Sequence, residues 1–297
     1  MADAADIHGS MERKTLCHEI VRETGVETTH EDGWAEVNGV TLRFTREGEG
    51  PALLLIHEIG GSLESWDAIV PALARDFHVL RYDQRGAGRS EKVRQPFSLN
   101  ELVDDLEALV DQLLPSQGLH VMGAAMGAAQ AVMLAGRRRT QIASLALLSP
   151  ALEVDPQRAD LMRARARQTD TQGLRATLPL TLDRAWPPDD GQARALYRAR
   201  YLSNDPYGFA RHNEALLDLD IEDTLRALSC PVLLVAGQRD RVRPPEMARR
   251  AAALLARPCL AEIDAAHFMA AEKPAAVLEQ VTTFYRTLVP SHRDEGK

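Results

Sequence analysis

Residues 119–137, LHVMGAAMGAAQAVMLAGR, decide the fold. The run opens on a short apolar strand at 119–122, turns through Gly123-Ala-Ala-Met-Gly127, and continues as a helix over 128–137. Small residues at both ends of the turn permit a sharp, strained change of direction that lifts the middle side chain out of the sheet. In its catalytic form, G-x-S-x-G, the middle residue is a serine. Here it is Ala125, which has no oxygen and cannot act as a nucleophile.

On the N-terminal side, residues 52–56 are a continuous apolar run, as a strand buried on both faces requires. Helical spacing follows over 63–73, then a strand at 77–82 and a helix at 99–114 with Leu102, Leu106, Leu109 and Val110 on one side. Still earlier, residues 34–37 and 40–44 flank Asn38-Gly39, a dipeptide suited to a type I′ hairpin turn. On the C-terminal side comes a sixth strand at 144–148. Alternation stops at Pro150 and resumes with strands at 231–236 and 259–263 and helices at 245–255 and 274–288. Alternating strands and helices imply an α/β fold: a mostly parallel, doubly wound sheet covered on both faces. The block between, residues 151–226, holds helical stretches and no convincing strand, and reads as a helical lid inserted after the sixth strand. The expected organisation is an N-terminal arm over 1–30 with a short helix at 11–21, a core over 31–150 and 227–290, the lid, and a tail over 291–297.

Ligands of open α/β sheets sit at the carboxyl ends of the strands, so the turns there carry the most weight. His57-Glu-Ile-Gly-Gly-Ser62 follows the third strand, and its glycines let backbone N–H groups turn inward to hold a carbonyl oxygen as it becomes an anion. Tyr82 to Ser90 forms a rigid loop beside it. Asp240 follows the seventh strand and His267 the eighth. A histidine needs a carboxylate to fix its tautomer and steady its positive charge, and the chain order turn, acid, histidine is the hydrolytic one.

On these residues the chain resembles the α/β-hydrolase superfamily over about residues 34–290. Its texture is closest to small bacterial enol-lactonases, ester hydrolases and amide or C–C hydrolases of aromatic catabolism. The resemblance implies that Asp240 orients His267, that the N–H groups of Ile59 and Met126 form an oxyanion hole, and that the lid closes the substrate pocket. Two positions depart from the family pattern. Ala125 stands where the nucleophile belongs, and Glu58 where a glycine usually follows His57. The Glu58 charge opposes an oxyanion unless the group is protonated or turned away.

Three readings follow. In the first, the protein is a hydrolase of a small ester, lactone or amide in which His267, Asp240 and Glu58 activate water in place of a serine. In the second, an ordinary serine hydrolase carries an engineered Ser→Ala change at 125; Glu58, a second departure, weighs against it. In the third, the scaffold binds a ligand without chemistry; the retained Asp240 and His267 weigh against that.

The lid is rich in arginine, which grips carboxylates in a bidentate fork. Of Arg163, Arg165, Arg167, Arg175, Arg194, Arg198 and Arg200, one is expected to point into the pocket and select a small acidic substrate; Arg163 and Arg167, one helical turn apart as are Arg194 and Arg198, are named for that role, beside Phe268 next to His267. Trp66, Met122, Met126, Leu152 and Met269 belong to the core or the pocket wall. No cluster has metal-ligand spacing, and Gly86-Ala-Gly88 lacks the further glycine of a nucleotide loop, so no metal and no cofactor is expected.

With 297 residues the chain is long enough to bury a large core, and its formal charge of −8 makes nucleic acid and anionic membranes poor partners. A small molecule is the expected partner; the oligomeric state stays open, a homodimer included. Cys17, Cys230 and Cys259 are odd in number and widely spaced, and no secretory pattern opens the chain. Both features suit a reducing cytoplasm.

Overall fold

The computed structural model describes residues 30–288, apart from 115–117, 155, 187 and 189–190. The arm before His30, its expected helix at 11–21, Cys17 and the tail at 291–297 lie outside the described residues.

Eight strands form one sheet: β1 (His30–Val37), β2 (Val40–Glu47), β3 (Ala52–Ile56), β4 (His78–Tyr82), β5 (Leu119–Ala124), β6 (Ile142–Leu148), β7 (Val232–Gly237) and β8 (Pro258–Ile263). Their order is β1-β2-β4-β3-β5-β6-β7-β8. β1, β2 and β4 pair antiparallel, and every pair from β4 to β8 is parallel. The β1–β2 turn uses Asn38 and Gly39, both at positive φ as a type I′ turn demands. β1 begins at His30, four residues earlier than residue 34, because its first half pairs with β2 without a buried face to mark it in the sequence.

The longer helices are α1 (Leu99–Leu113), α2 (Met126–Arg137), α3 (Pro156–Gln172), α4 (Gln192–Ser203), α5 (Pro206–Ala215), α6 (Pro245–Ala252) and α7 (Pro274–Leu288). Ser98 and Glu101 close a capping box at the start of α1, and Leu102, Leu106, Leu109 and Val110 bury its apolar side. α1, α2 and α6 join the core on one face of the sheet. α7 and the segment from Trp66 to Phe77 join the core on the other. β3 is buried at every residue because both faces are covered.

Between β6 and β7 the described residues are helical and contain no strand. This block has a small apolar cluster of its own, including Leu174, Leu182, Trp186, Tyr197, Tyr201 and Phe209. Phe268, from the loop after β8, also belongs to that cluster and ties the block to the rim of the sheet.

Candidate active site

β5 runs straight into α2 through Ala125, whose φ is +47° and ψ −109°. A non-glycine residue held at such a φ costs of order 1–3 kcal/mol, so the surroundings must impose it. The Ala125 N–H donates to the Leu148 carbonyl at 3.0 Å, and the Ala125 carbonyl accepts from Ala151 N–H at 3.1 Å. The flanking glycines are steric necessities. A Cβ on Gly123 would lie 2.3 Å from the Gly127 carbonyl oxygen, and one on Gly127 would lie 2.1 Å from that of Ile56. The turn therefore keeps the full geometry that exposes a central side chain, and presents a methyl group there.

The loops after β7 and β8 bring Asp240 and His267 together. His267 Nδ1 lies 2.7 Å from Asp240 Oδ2, and both side chains are buried. Asp240 Oδ1 accepts the N–H groups of Val242 at 2.7 Å and Arg243 at 2.8 Å. Burial by itself would raise the Asp240 pKa; the charge and hydrogen bond of His267, with the Arg243 N–H, outweigh it and hold the carboxyl below its ordinary value. A carboxylate accepting at Nδ1 assigns the proton there and leaves Nε2 as the basic nitrogen. His267 lines the same cavity as Ala125. Asp264, near His267 in sequence, is exposed and pairs with Arg239 instead.

The turn after β3 is fixed by His57. Its Nδ1 bonds the Glu58 carbonyl at 2.8 Å, and its Nε2 accepts the Gln84 N–H at 3.1 Å. Both ring nitrogens are thus engaged in holding the loop. Glu58 is buried, and its Oε1 accepts the Ser65 hydroxyl at 2.7 Å and the Tyr197 hydroxyl. Burial first, and the Glu58 charge second, push the Tyr197 pKa well above its ordinary value, so the phenol stays a donor. Ile59 and Met126 line the cavity, and among the described residues neither backbone N–H finds a backbone acceptor.

The cavity over Ala125 has a volume of about 160 Å³. A second chamber of about 10 Å³ adjoins it, walled by Glu58, Ala125, Tyr197, His267 and Phe268. The larger cavity extends beneath the helical block, where Arg165, Arg184 and Arg243 contribute to its wall.

Arg163 and Arg167 do not reach this cavity. Arg163 pairs with Asp160 at 3.1 Å in solvent, and Arg167 is exposed. The two do share a helix face, one turn apart, but it is the outer face. Arg165, about 200° around the helix from Arg163, occupies the inner one. Met126 and Phe268 line the cavity and Met269 the adjoining chamber, whereas Trp66, Met122 and Leu152 belong to the sheet's cores.

Among the polar residues at the site that the sequence did not single out are Ser65, Tyr197, Tyr201 and Asn213, with Thr181, Arg184 and Arg243 also in the wall. The first two reach Glu58 from separate elements, and the tyrosines stand one turn apart on α4, which is the one local hint that both point the same way. Among the described residues, no group of three His, Cys, Asp or Glu side chains is placed to hold a metal ion. None of the described helices is long and apolar enough to cross a membrane.

A family model described as alpha/beta hydrolase fold matches residues 51–274. A putative carbamate hydrolase, RutD, of Pseudomonas syringae is 29% identical over 218 residues, spanning 70% of this chain and 82% of that protein. The crystal structure of an enol-lactonase from Burkholderia xenovorans superimposes with a TM-score of 0.81 at 29% identity, covering 86% of this chain and all of that one. Probable oxidoreductase EphD of Mycobacterium tuberculosis is 36% identical, but only over 89 residues, so that this chain spans 15% of its length.

Proposed function

The chain belongs to the α/β-hydrolase fold family, and from that premise we propose that it hydrolyses a small ester, lactone or carbamate by direct attack of water, with no acyl-enzyme intermediate. The observation that carries this reading is the His267–Asp240 pair, 2.7 Å apart, facing a chamber of about 10 Å³ where a serine hydroxyl would otherwise project. About that volume accommodates one water molecule.

In the proposed reaction the scissile carbonyl lies over Ala125 with its oxygen toward the N–H groups of Ile59 and Met126. Water in the chamber is oriented by Glu58 and gives a proton to His267 Nε2 as its oxygen adds to the carbonyl carbon. Asp240 steadies the imidazolium, and the two N–H groups hold the oxyanion. The tetrahedral intermediate collapses, His267 returns the proton to the leaving oxygen or nitrogen, and acid and alcohol or amine depart. Glu58 is held at Oε1 by hydrogen bonds from Ser65 and Tyr197, which fix its direction toward the water. The relatives support the substrate range through their descriptions as an enol-lactonase and a putative carbamate hydrolase.

The test is a panel of small esters, enol-lactones and carbamates, assayed with the natural chain, Ala125→Ser and His267→Ala. The expected result is turnover by the natural chain with no burst of leaving group, little gain from Ala125→Ser, and loss with His267→Ala. A hundredfold or greater gain from Ala125→Ser, with a burst, would mean that the site is a serine hydrolase stripped of its nucleophile. No turnover of any substrate by the natural chain would favour a ligand-binding role.

A further inference from the structure

Arg165 lines the cavity from the helical block. Arg163, Arg194, Arg200 and Arg211 are paired with Asp160, Asp183, Asp67 and Asp170. Arg165 is half-buried in the cavity wall, and among the described residues no carboxylate pairs with it. Its Nη2 donates to the Asn213 side-chain oxygen, while its Nε has no acceptor. Asn213 is neutral, and its amide nitrogen is already given to the Phe209 carbonyl at 2.8 Å. The Tyr201 hydroxyl, in the wall of the same cavity, is also buried, with only the Thr181 hydroxyl interacting with it and no hydrogen bond of good geometry. Two donors, one of them cationic, are thus withdrawn from water with no well-placed acceptor for their hydrogens. A buried charge and an unmet donor both disfavour folding unless something answers them.

The surrounding charge points the same way. Of the titratable side chains on the wall, Arg165, Arg184 and Arg243 are cationic, and Glu58 is the one carboxylate. Arg184 donates to the Arg241 carbonyl and Arg243 to that of Glu153. The Glu58 carboxylate is occupied at Oε1 by Ser65 and Tyr197. Beneath the block Arg165 and Arg184 make the wall electropositive, and such a cleft concentrates small anions.

We propose that Arg165, assisted by the Tyr201 hydroxyl, holds a free carboxylate on the substrate, so that the cavity selects small acidic esters, lactones or carbamates whose scissile carbonyl sits at the Ala125 end. This rests on the reading of the cavity as the substrate site. The guanidinium meets the carboxylate with its planar fork, Tyr201 adds a third hydrogen bond, and the ligand's charge replaces the counter-ion that the protein omits. Burial lowers the Arg165 pKa, which is the electrostatic mark of a cation waiting for a partner. Asn213 holds the guanidinium from α5.

The experiment measures binding, not turnover. Glutarate and its neutral isostere glutaramide are titrated calorimetrically into the full chain, Arg165→Gln and Tyr201→Phe, each also in a His267→Ala background that cannot react. The expected result is that the natural chain binds glutarate at least about tenfold more tightly than glutaramide, the worth of one charged hydrogen bond. Arg165→Gln should erase that preference, and Tyr201→Phe should reduce it several-fold. Equal binding of the two ligands by the natural chain, or a preference that survives Arg165→Gln, overturns the proposal. Should Arg165→Gln fail to fold, Tyr201→Phe decides: unchanged selectivity overturns, reduced selectivity supports. A glutarate preference in a chain that hydrolyses nothing sinks the proposed reaction and keeps the subsite. Hydrolysis of neutral esters with no glutarate preference does the reverse.

Discussion

The rim of the sheet and the helical block above it meet the same cavity but are built on opposite principles. At the rim every functional group is held from behind. Asp240 has two backbone N–H donors and His267 on its carboxylate. His57 spends both ring nitrogens on its own loop, and Ala125 is locked by hydrogen bonds on either side. In the block, Arg165 Nε, Tyr201 Oη and His212 Nε2 are buried without a hydrogen bond of good geometry. Satisfied groups fix a geometry once and for all; unmet groups keep a surface prepared for something that is not part of the chain. A reaction needs the first and recognition needs the second, so the division follows what each region is proposed to do.

The comparison breaks most visibly at His267. Replacement by alanine should lower kcat/KM about a thousandfold, the usual worth of a positioned general base, with circular dichroism and the melting temperature nearly unchanged. If activity fell only severalfold, the rim would be scaffolding and not machinery.

Rigidity of the rim is tested next by Gly127→Ala. The added methyl would meet the Ile56 carbonyl oxygen at 2.1 Å, with backbone on both sides and no flexible end to yield. A loss of about 3 kcal/mol in urea unfolding is expected. The matching change in the block, Gly173→Ala, meets nothing within 4 Å and pays only for its φ of +77°, about 1 kcal/mol. Similar losses at the two sites would erase the contrast.

Acid should separate the regions by pH. Burial, and then the charge of His57, lower the His212 pKa from 6.5 to about 3. The unfolded chain takes up that proton first, so stability falls as pH drops below 6.5, by about 1.4 kcal/mol per pH unit, until the folded pKa near 3 is reached. Asp240 is also held below its ordinary value, and its contribution is intact above the unfolded pKa of about 3.9 and is lost only below it. The block should therefore loosen before the rim. His212→Phe should flatten the slope between pH 6 and 4, and an unchanged slope would assign the acid sensitivity elsewhere.

The smallest effect is expected from Tyr201→Phe, which removes a buried hydroxyl that makes no hydrogen bond of good geometry. Stability should stay within about 0.5 kcal/mol or rise slightly, because no well-formed hydrogen bond is lost. A loss above about 1.5 kcal/mol would show that the hydroxyl is answered within the free protein, and the block would then be as self-satisfied as the rim.

The local sequence alone determined the sheet, the elbow and the two loop residues. Strands buried on both faces must be apolar runs, a strand-to-helix turn with no room for a Cβ must be glycine, and Asp240 and His267 declare themselves by following strands whose ends converge in any sheet of this kind. All of that is fixed by nearest neighbours and by one general rule of topology. Which arginine enters the cavity was decided only by tertiary structure. The run Arg163-Ala-Arg-Ala-Arg167 places arginine on opposing faces of α3, so the sequence offered no apolar stripe to set the helix's rotation, and docking against α5 turned Arg165 inward and left Arg163 and Arg167 in solvent. The bond from Tyr197 to Glu58 joins residues 139 apart in the chain. Such a pairing has no local signature, because it exists only once two separately built layers have been pressed together.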